Sequence, residues 1–171
     1  MFFRWLLGNS ESTNERPRAS ATLMELVRQS MPEASPQDAA IVGALAGLFA
    51  FVAYADRSYT DSEKQAVRAA LARFHQLKPQ GIDAVCALLE TQVAELAHEP
   101  LQTYTRVLYE LSDREARLEV LDVLMDVATA DDVLSMDETN GLRRIANLLG
   151  LSESDYTAAQ TKHRDHLSVL R

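Results

Sequence analysis

Two short acidic stretches place carboxylates where a divalent cation could bind. Asp56 and Glu63 are seven residues apart in the first stretch, and Asp131 and Glu138 are seven residues apart in the second. Asp132 adds a carboxylate beside the second pair. Hard cations such as Ca²⁺ and Mg²⁺ take several oxygen ligands, which two related stretches can supply together. These five residues therefore form a candidate divalent-cation site, although their spacing is not that of an EF-hand loop.

The same carboxylates fit two further roles that the sequence leaves open. Each Asp follows an apolar run, so its side chain can accept hydrogen bonds from amides of its own loop or of the next helix. A carboxylate pair can also act as general acid and base, which makes a hydrolase built on Asp131 and Glu138 a distant alternative. The sequence contains neither a serine-nucleophile elbow nor a glycine-rich phosphate loop. We therefore expect a protein that is not an enzyme.

The histidines give weaker metal signals. Glu95 and His98 have the Glu-x-x-His spacing of di-iron bundles, but those bundles need a second copy that this sequence lacks. His163 and His166 are three residues apart and could share a metal on the last helix. We interpret them instead as residues of a last helical turn, where the helix dipole favours a partly positive side chain.

Both acidic stretches also have the signature of a helix start. Thr60 with Glu63, and Ser135 with Glu138, have capping-box spacing, in which the hydroxyl and the Glu satisfy free amides at a helix N-terminus. Apolar residues at helical spacing follow each cap and match under a shift of 75 residues: Val67, Ala70, Leu71 and Phe74 against Leu142, Ile145, Ala146 and Leu149. The sequence therefore predicts a duplicated helical domain with one helix–turn–helix corner in each half.

Helical apolar patterns with capping residues at their starts extend over most of the chain. Alternation typical of strands is absent, so we predict a single all-α bundle of about seven to eight helices. The predicted helices cover residues 20–31, 36–56, 61–74, 79–97, 100–111, 113–130, 136–149 and 153–167, with Ser112 as the cap of the sixth. Residues 39–55 carry no charge, but a membrane span needs about 20 apolar residues, so we expect a central core helix.

Composition restricts the classes of partner. Hydrophobic residues make up 47% of the 171 residues, enough for one domain with a substantial core. The 17 basic and 25 acidic residues give a net charge of −8, which disfavours nucleic acid because phosphates require a basic face. Residues 86–138 hold 13 acidic residues and three arginines, so we expect cations or basic segments of a protein partner. Cys86 is the single cysteine, and its apolar neighbours predict a buried thiol.

Residues 1–18 are expected to be separate from the helical domain, which covers residues 19–171. The segment begins with Phe2, Phe3 and Trp5, and residues 9–18 have the polar composition of a flexible tether. Three alternatives remain open for the aromatic peptide: docking on its own domain, insertion into a partner's groove, or peripheral contact with a membrane surface. No secretory signal is visible, so we expect a cytoplasmic protein, with a position at the inner membrane as an alternative.

The two corners resemble those of the TerB-like family, named for a bacterial tellurite-resistance protein. The matching stretches are VAYADRSYTDSE at 52–63 and VATADDVLSMDE at 127–138, followed by the tail IANLLGLSESDY at 145–156. The resemblance implies a duplicated all-helical domain that acts as an interaction or sensing module in stress-response or membrane-linked complexes. It also implies divalent-cation binding at the corners, and it argues against an enzyme.

The sequence departs from the family pattern at one position of each corner. Arg57 and Asp132 stand where the family has glycine. Because glycine permits a left-handed backbone turn, this chain is expected either to turn differently or to tolerate strain there. The His-Pro-Asp signature of J-domains, which often accompany this family, does not occur in the sequence.

Overall fold

A computed structural model describes residues 19–55, 57–74, 77–131 and 134–163 of the chain. The aromatic peptide with Phe2, Phe3 and Trp5 lies outside these residues. Within the described ranges the chain forms helices and no strands, which confirms the all-α prediction. The eight helices are α1 (Ala19–Ser30), α2 (Pro36–Ala53), α3 (Asp61–Leu71), α4 (Pro79–His98), α5 (Gln102–Leu111), α6 (Arg114–Ala128), α7 (Met136–Leu148) and α8 (Glu153–Lys162).

Local capping chemistry explains where several of these helices begin. The Ser35 hydroxyl accepts the backbone N–H of Asp38 at 3.0 Å, and Pro36 occupies the first position of α2, where no N–H is needed. Full capping boxes start α3, α7 and α8, with Thr60, Ser135 and Ser152 as the cap residues. The predicted capping boxes at both corners are confirmed.

The junction between α5 and α6 corrects the prediction that Ser112 caps α6. Ser112 instead ends α5, and its hydroxyl donates to a carbonyl of that helix. The cap is Asp113, whose Oδ1 accepts the N–H of Ala116 at 2.9 Å. Two residues that favour N-cap positions are adjacent here. Because the Ser112 hydroxyl already bonds to α5, Asp113 caps α6 instead.

The two halves of the bundle repeat the same packing around the pair α2 and α6. In the first half α2, α3 and α4 contact one another, and in the second half α6, α7 and α8 do so. Across the halves, α2 contacts α7 and α6 contacts α3, which is the reciprocal relation expected of a duplicated unit. The duplication is therefore confirmed for these three-helix units. The helices α1 and α5 do not follow this duplicated arrangement, because both of them pack on α2.

The helix α2 is the centre of the core. Every residue of the range 42–50 is buried. Gly47 lets the ring of Tyr104, on α5, lie directly against the α2 backbone, because a Cβ at position 47 would overlap that ring. Tyr104 is fully buried, and its hydroxyl donates to the carbonyl of Leu96 at 3.3 Å. Glycine at this position therefore allows α5 to approach α2 closely.

Among the described helices, α2 alone has the length and composition of a membrane-spanning helix. However, 67% of that segment is buried inside the domain. Its counterpart in the second half, α6, carries four charged residues between positions 117 and 126. This packing supports the expectation of a core helix.

Candidate functional site

The first acidic corner joins α2 to α3. Glu63 is the third residue of α3 and is only 2% exposed. Its Oε2 accepts both the backbone N–H and the hydroxyl of Thr60, at 2.7 and 2.8 Å. The Thr60 hydroxyl oxygen in turn accepts the N–H of Glu63 at 3.2 Å. These donors and the positive end of the α3 dipole compensate the carboxylate for the water it has lost.

The second corner, between α6 and α7, repeats this arrangement. Glu138 is 4% exposed, and its Oε2 accepts the backbone N–H of Ser135 at 2.7 Å. The Ser135 hydroxyl accepts the N–H of Glu138 at 3.1 Å. The cap residues Thr60 and Ser135 also have nearly identical backbone angles, with φ −73° and ψ 161° against φ −70° and ψ 162°. The two corners are therefore copies of one local structure.

The residue before each cap attaches the corner to the core. Tyr59 and Leu134 hold this position in the first and second corners, and both pack against the core while partly buried. Burial raises the pKa of the Tyr59 phenol further above physiological pH. The ammonium of Lys64 lies 5.8 Å from the centre of the same ring. Apolar packing thus fixes the direction in which the chain enters α3 and α7.

The first corner keeps a left-handed turn without glycine. Arg57 has φ +67°, and no other residue except Gly150 has a positive φ in the described ranges. An L-residue in this conformation brings its Cβ close to the following carbonyl oxygen, at a cost of about 1–2 kcal/mol. The chain therefore tolerates strain at Arg57 and does not turn differently there. Asp132, its counterpart, lies outside the described residues.

Three of the five predicted cation ligands lie in the described residues. Glu63 and Glu138 are buried in the capping boxes, and Asp131 is half-buried just beyond the end of α6. These three do not form a group whose ligand atoms all lie within 4.8 Å of one another. Asp56 and Asp132 lie outside the described residues, so the five-residue cation site stays a prediction. A cation at either corner would have to share its glutamate with the helix cap.

A different cluster, which sequence reasoning missed, joins α6 to α8. Asp122 and Asp126 are one turn apart on α6, and the His163 ring lies between them at the end of α8. His163 Nε2 is 2.8 Å from Asp126 Oδ1 and 3.8 Å from Asp122 Oδ1. The sequence shows the spacing of the two aspartates, but nothing local predicts that a histidine 37 residues beyond Asp126 meets them. His166, the other half of the predicted histidine pair, lies outside the described residues.

Comparison with known families agrees with the duplicated corners. A family model described as "Tellurite resistance protein TerB" matches residues 43–161, which is more than half of the chain. The chain belongs to the TerB family. The TerB match begins within α2 and ends within α8, so it includes both corners and leaves α1 outside. No curated protein and no solved structure matches the chain.

One face of α6 in this TerB domain is acidic. Four acidic residues lie on this face at helical spacing, and all except the partly buried Asp122 are exposed. They are Glu115, Glu119, Asp122 and Asp126. Asp122 and Asp126 contact Lys162 and His163 at the end of α8, whereas Glu115 and Glu119 are exposed. A row of carboxylates on one rigid helix creates a negative field that attracts cations and basic segments.

Proposed function

We propose that the chain is a non-catalytic TerB module that binds a protein partner through the acidic face of α6, in a stress-response or envelope-associated complex. The observation that carries the proposal is the exposure of Glu115 and Glu119 on this face. They belong to the range 86–138, which has 13 acidic residues against three arginines. Complementary charge steers association and selects partners, so the partner surface is expected to be basic.

The use of the buried polar groups supports a non-catalytic role. Five of the six buried polar residues in the described ranges contact the ends or backbone of their own helices, and His163 is one of these five. Glu63 and Glu138 complete caps, while the hydroxyls of Thr105 and Thr129 donate to carbonyls four residues earlier at 3.0 and 2.8 Å. An active site would instead direct such groups towards a common reacting atom.

The single thiol of the chain also has the properties of a structural residue. Cys86 is 8% exposed on α4, as its apolar neighbours predicted. Burial raises the pKa of the Cys86 thiol, against the opposing charge of Arg68. Because the thiolate is the nucleophile, a raised pKa disfavours nucleophilic catalysis by this residue.

Affinity capture from an extract of the source cells tests this interaction. The experiment compares the wild-type chain with a variant in which charges on α6 are reversed. The double variant Glu115→Lys/Glu119→Lys should lose partners that the wild-type chain retains, and raised salt should release them. Glu25→Lys/Glu33→Lys is the matched control, since it reverses two glutamates with the same net change outside this face. Equal capture by the α6 variant and the control would contradict the proposal.

A second candidate function is a divalent-cation sensor that uses Asp56, Glu63, Asp131, Asp132 and Glu138. The repetition of one local structure at both corners supports it, because two related corners could together supply the several oxygen ligands of a hard cation. Ca²⁺ or Mg²⁺ at a hundredfold excess over Kd should then stabilise the fold by about 2.7 kcal/mol. This candidate would be eliminated if millimolar Ca²⁺ or Mg²⁺ left the melting temperature unchanged. It would also be eliminated if the cation raised the melting temperature of Asp131→Asn as much as that of the wild type.

For localisation we propose the cytoplasm, with peripheral attachment to the inner membrane through Phe2, Phe3 and Trp5 as the alternative. One aromatic peptide with a single nearby arginine gives weak lipid binding, which supports the soluble location. Cell fractionation of the full chain and of a chain lacking residues 1–18 separates the two. Membrane association that disappears with the deletion would establish the alternative.

A further inference from the structure

The imidazole of His163 is held so that only one of its nitrogens faces a ligand. The side chain is 7% exposed at the C-terminal end of α8. Its Nδ1 lies 2.9 Å from the carbonyl oxygen of Ala159, which can only accept, so Nδ1 carries a proton. Metal-binding histidines are typically oriented in this way, with the non-ligating N–H donated to a carbonyl or carboxylate.

The other nitrogen, Nε2, faces two carboxylates of α6. It is 2.8 Å from Asp126 Oδ1 and 3.8 Å from Asp122 Oδ1. With Nδ1 protonated, a neutral ring would set the Nε2 lone pair against these negative oxygens, and the contact would be repulsive. It becomes favourable only when positive charge enters between them, either as a proton on Nε2 or as a metal ion.

The two aspartates are also suited to a ligand role. Lys162 donates to Asp122 Oδ2 at 2.5 Å, which leaves Oδ1 on the side of His163. Asp126 is 55% exposed, so its side chain has room to adjust. One ligand atom from each residue lies within 4.8 Å of the other two. Among the described residues no other group of three or more meets this condition.

We propose that Asp122, Asp126 and His163 bind a divalent first-row transition ion of the Zn²⁺ class, and that the ion joins α8 to α6. Nitrogen and oxygen ligands of tetrahedral Zn²⁺ lie about 3.3 Å apart, between the 2.8 and 3.8 Å separations found here. Imidazole favours this class over Ca²⁺ and Mg²⁺, which prefer sets of oxygen ligands. The site thus differs in place and in chemistry from the acidic corners.

Zinc titration of the full chain tests this site, monitored by calorimetry and thermal melting. Zn²⁺ at a hundredfold excess over Kd should raise Tm by about 5–10 °C, whereas Ca²⁺ and Mg²⁺ should give no rise that depends on Asp126 or His163. Asp126→Asn and His163→Gln should each weaken binding at least about tenfold and remove most of the Tm rise. Co²⁺ should show the visible absorption of a four-coordinate ion, and both variants should lose it.

His98→Gln is the matched histidine control. His98 also contacts the carbonyl four residues earlier, but it belongs to no group of three ligands in the described part of the chain. This variant, and Asp131→Asn at the second corner, should retain the Zn²⁺ response. A wild-type chain without that response would overturn the proposal. An equal Zn²⁺-dependent rise in Asp126→Asn, or a Ca²⁺-dependent rise that Asp126→Asn abolishes, would also overturn the proposal.

Discussion

Glu63 and Glu138 occupy the same position in the two halves of the bundle, each with Oε2 2.7 Å from the backbone nitrogen of its own cap residue. Their burial shows that the acidic corners are in the first place structural. A duplicated helical unit needs two helix starts, and each start uses one carboxylate.

Replacing either glutamate with alanine should destabilise the fold to a similar extent. Glu63→Ala and Glu138→Ala each leave the backbone N–H of a partly buried cap residue without its acceptor, at a cost of about 1–3 kcal/mol in the free energy of unfolding. Urea denaturation measures the loss. Asp137→Ala is the control, because Asp137 is exposed in the same first turn of α7. A loss at Glu138 no larger than that at Asp137 would contradict the capping role.

Glycine at position 57 should stabilise the chain. Arg57→Gly removes the left-handed strain of about 1–2 kcal/mol and adds an entropy cost of about 0.5–1 kcal/mol, for a net gain of up to about 1.5 kcal/mol. Arg57→Ala removes the same side chain but keeps the Cβ, so it should give no such gain. Chemical denaturation gives the free energy of unfolding of both variants. An equal gain in Arg57→Ala would show that the backbone angle at position 57 does not affect stability.

The carboxylate of Asp155 should make α8 sensitive to acid. The Ser152 N–H, 2.9 Å away, holds the pKa of Asp155 below its ordinary value, and Arg114 adds to this effect at 2.6 Å. A lowered folded-state pKa gives stability that is present above the ordinary Asp value of about 3.9 and is lost as pH falls through the folded value. Asp155→Asn should therefore lower Tm at pH 7, and its deficit should shrink below about pH 4. Melting curves across this range test it, and a deficit independent of pH would be the contrary result.

The close approach of α5 to α2 should be intolerant of a methyl group at position 47. Gly47→Ala forces its Cβ into the Tyr104 ring and should cost about 1–3 kcal/mol. A double-mutant cycle with Tyr104→Leu checks the cause, because the smaller side chain should recover part of the loss. If the two substitutions had additive effects on the free energy of unfolding, the destabilisation by Gly47→Ala would not come from its contact with Tyr104.

Features encoded within one turn of helix could be predicted from the sequence. The capping boxes at Thr60 and Ser135 depend on residues three positions apart, and their duplication made the fold recognisable. The error at Ser112 arose where two capping residues are adjacent, so that tertiary context chose between them. Sequence alone also left open whether Arg57 would adopt the left-handed conformation that glycine allows. That outcome depends on whether the packing of the surrounding helices requires the left-handed turn.

The cluster around His163 could not be predicted, because its members meet only after α8 packs on α6. In the sequence, Asp122 and Asp126 are only two acidic residues four positions apart on a predicted helix. His163 looked like a residue of a final helical turn, which it also is, since it ends α8. Pairing of distant helices carries no local sequence signal, so sites formed between elements need the fold itself.

Site-specific photo-crosslinking in living cells tests most directly whether the acidic face of α6 contacts a partner. A photoreactive residue in place of Glu119 should give a discrete adduct with a second protein that carries a basic surface. The same residue in place of Glu33 should not give that adduct, although both positions are exposed. Absence of an adduct at position 119, or the same adduct from both positions, would contradict the account.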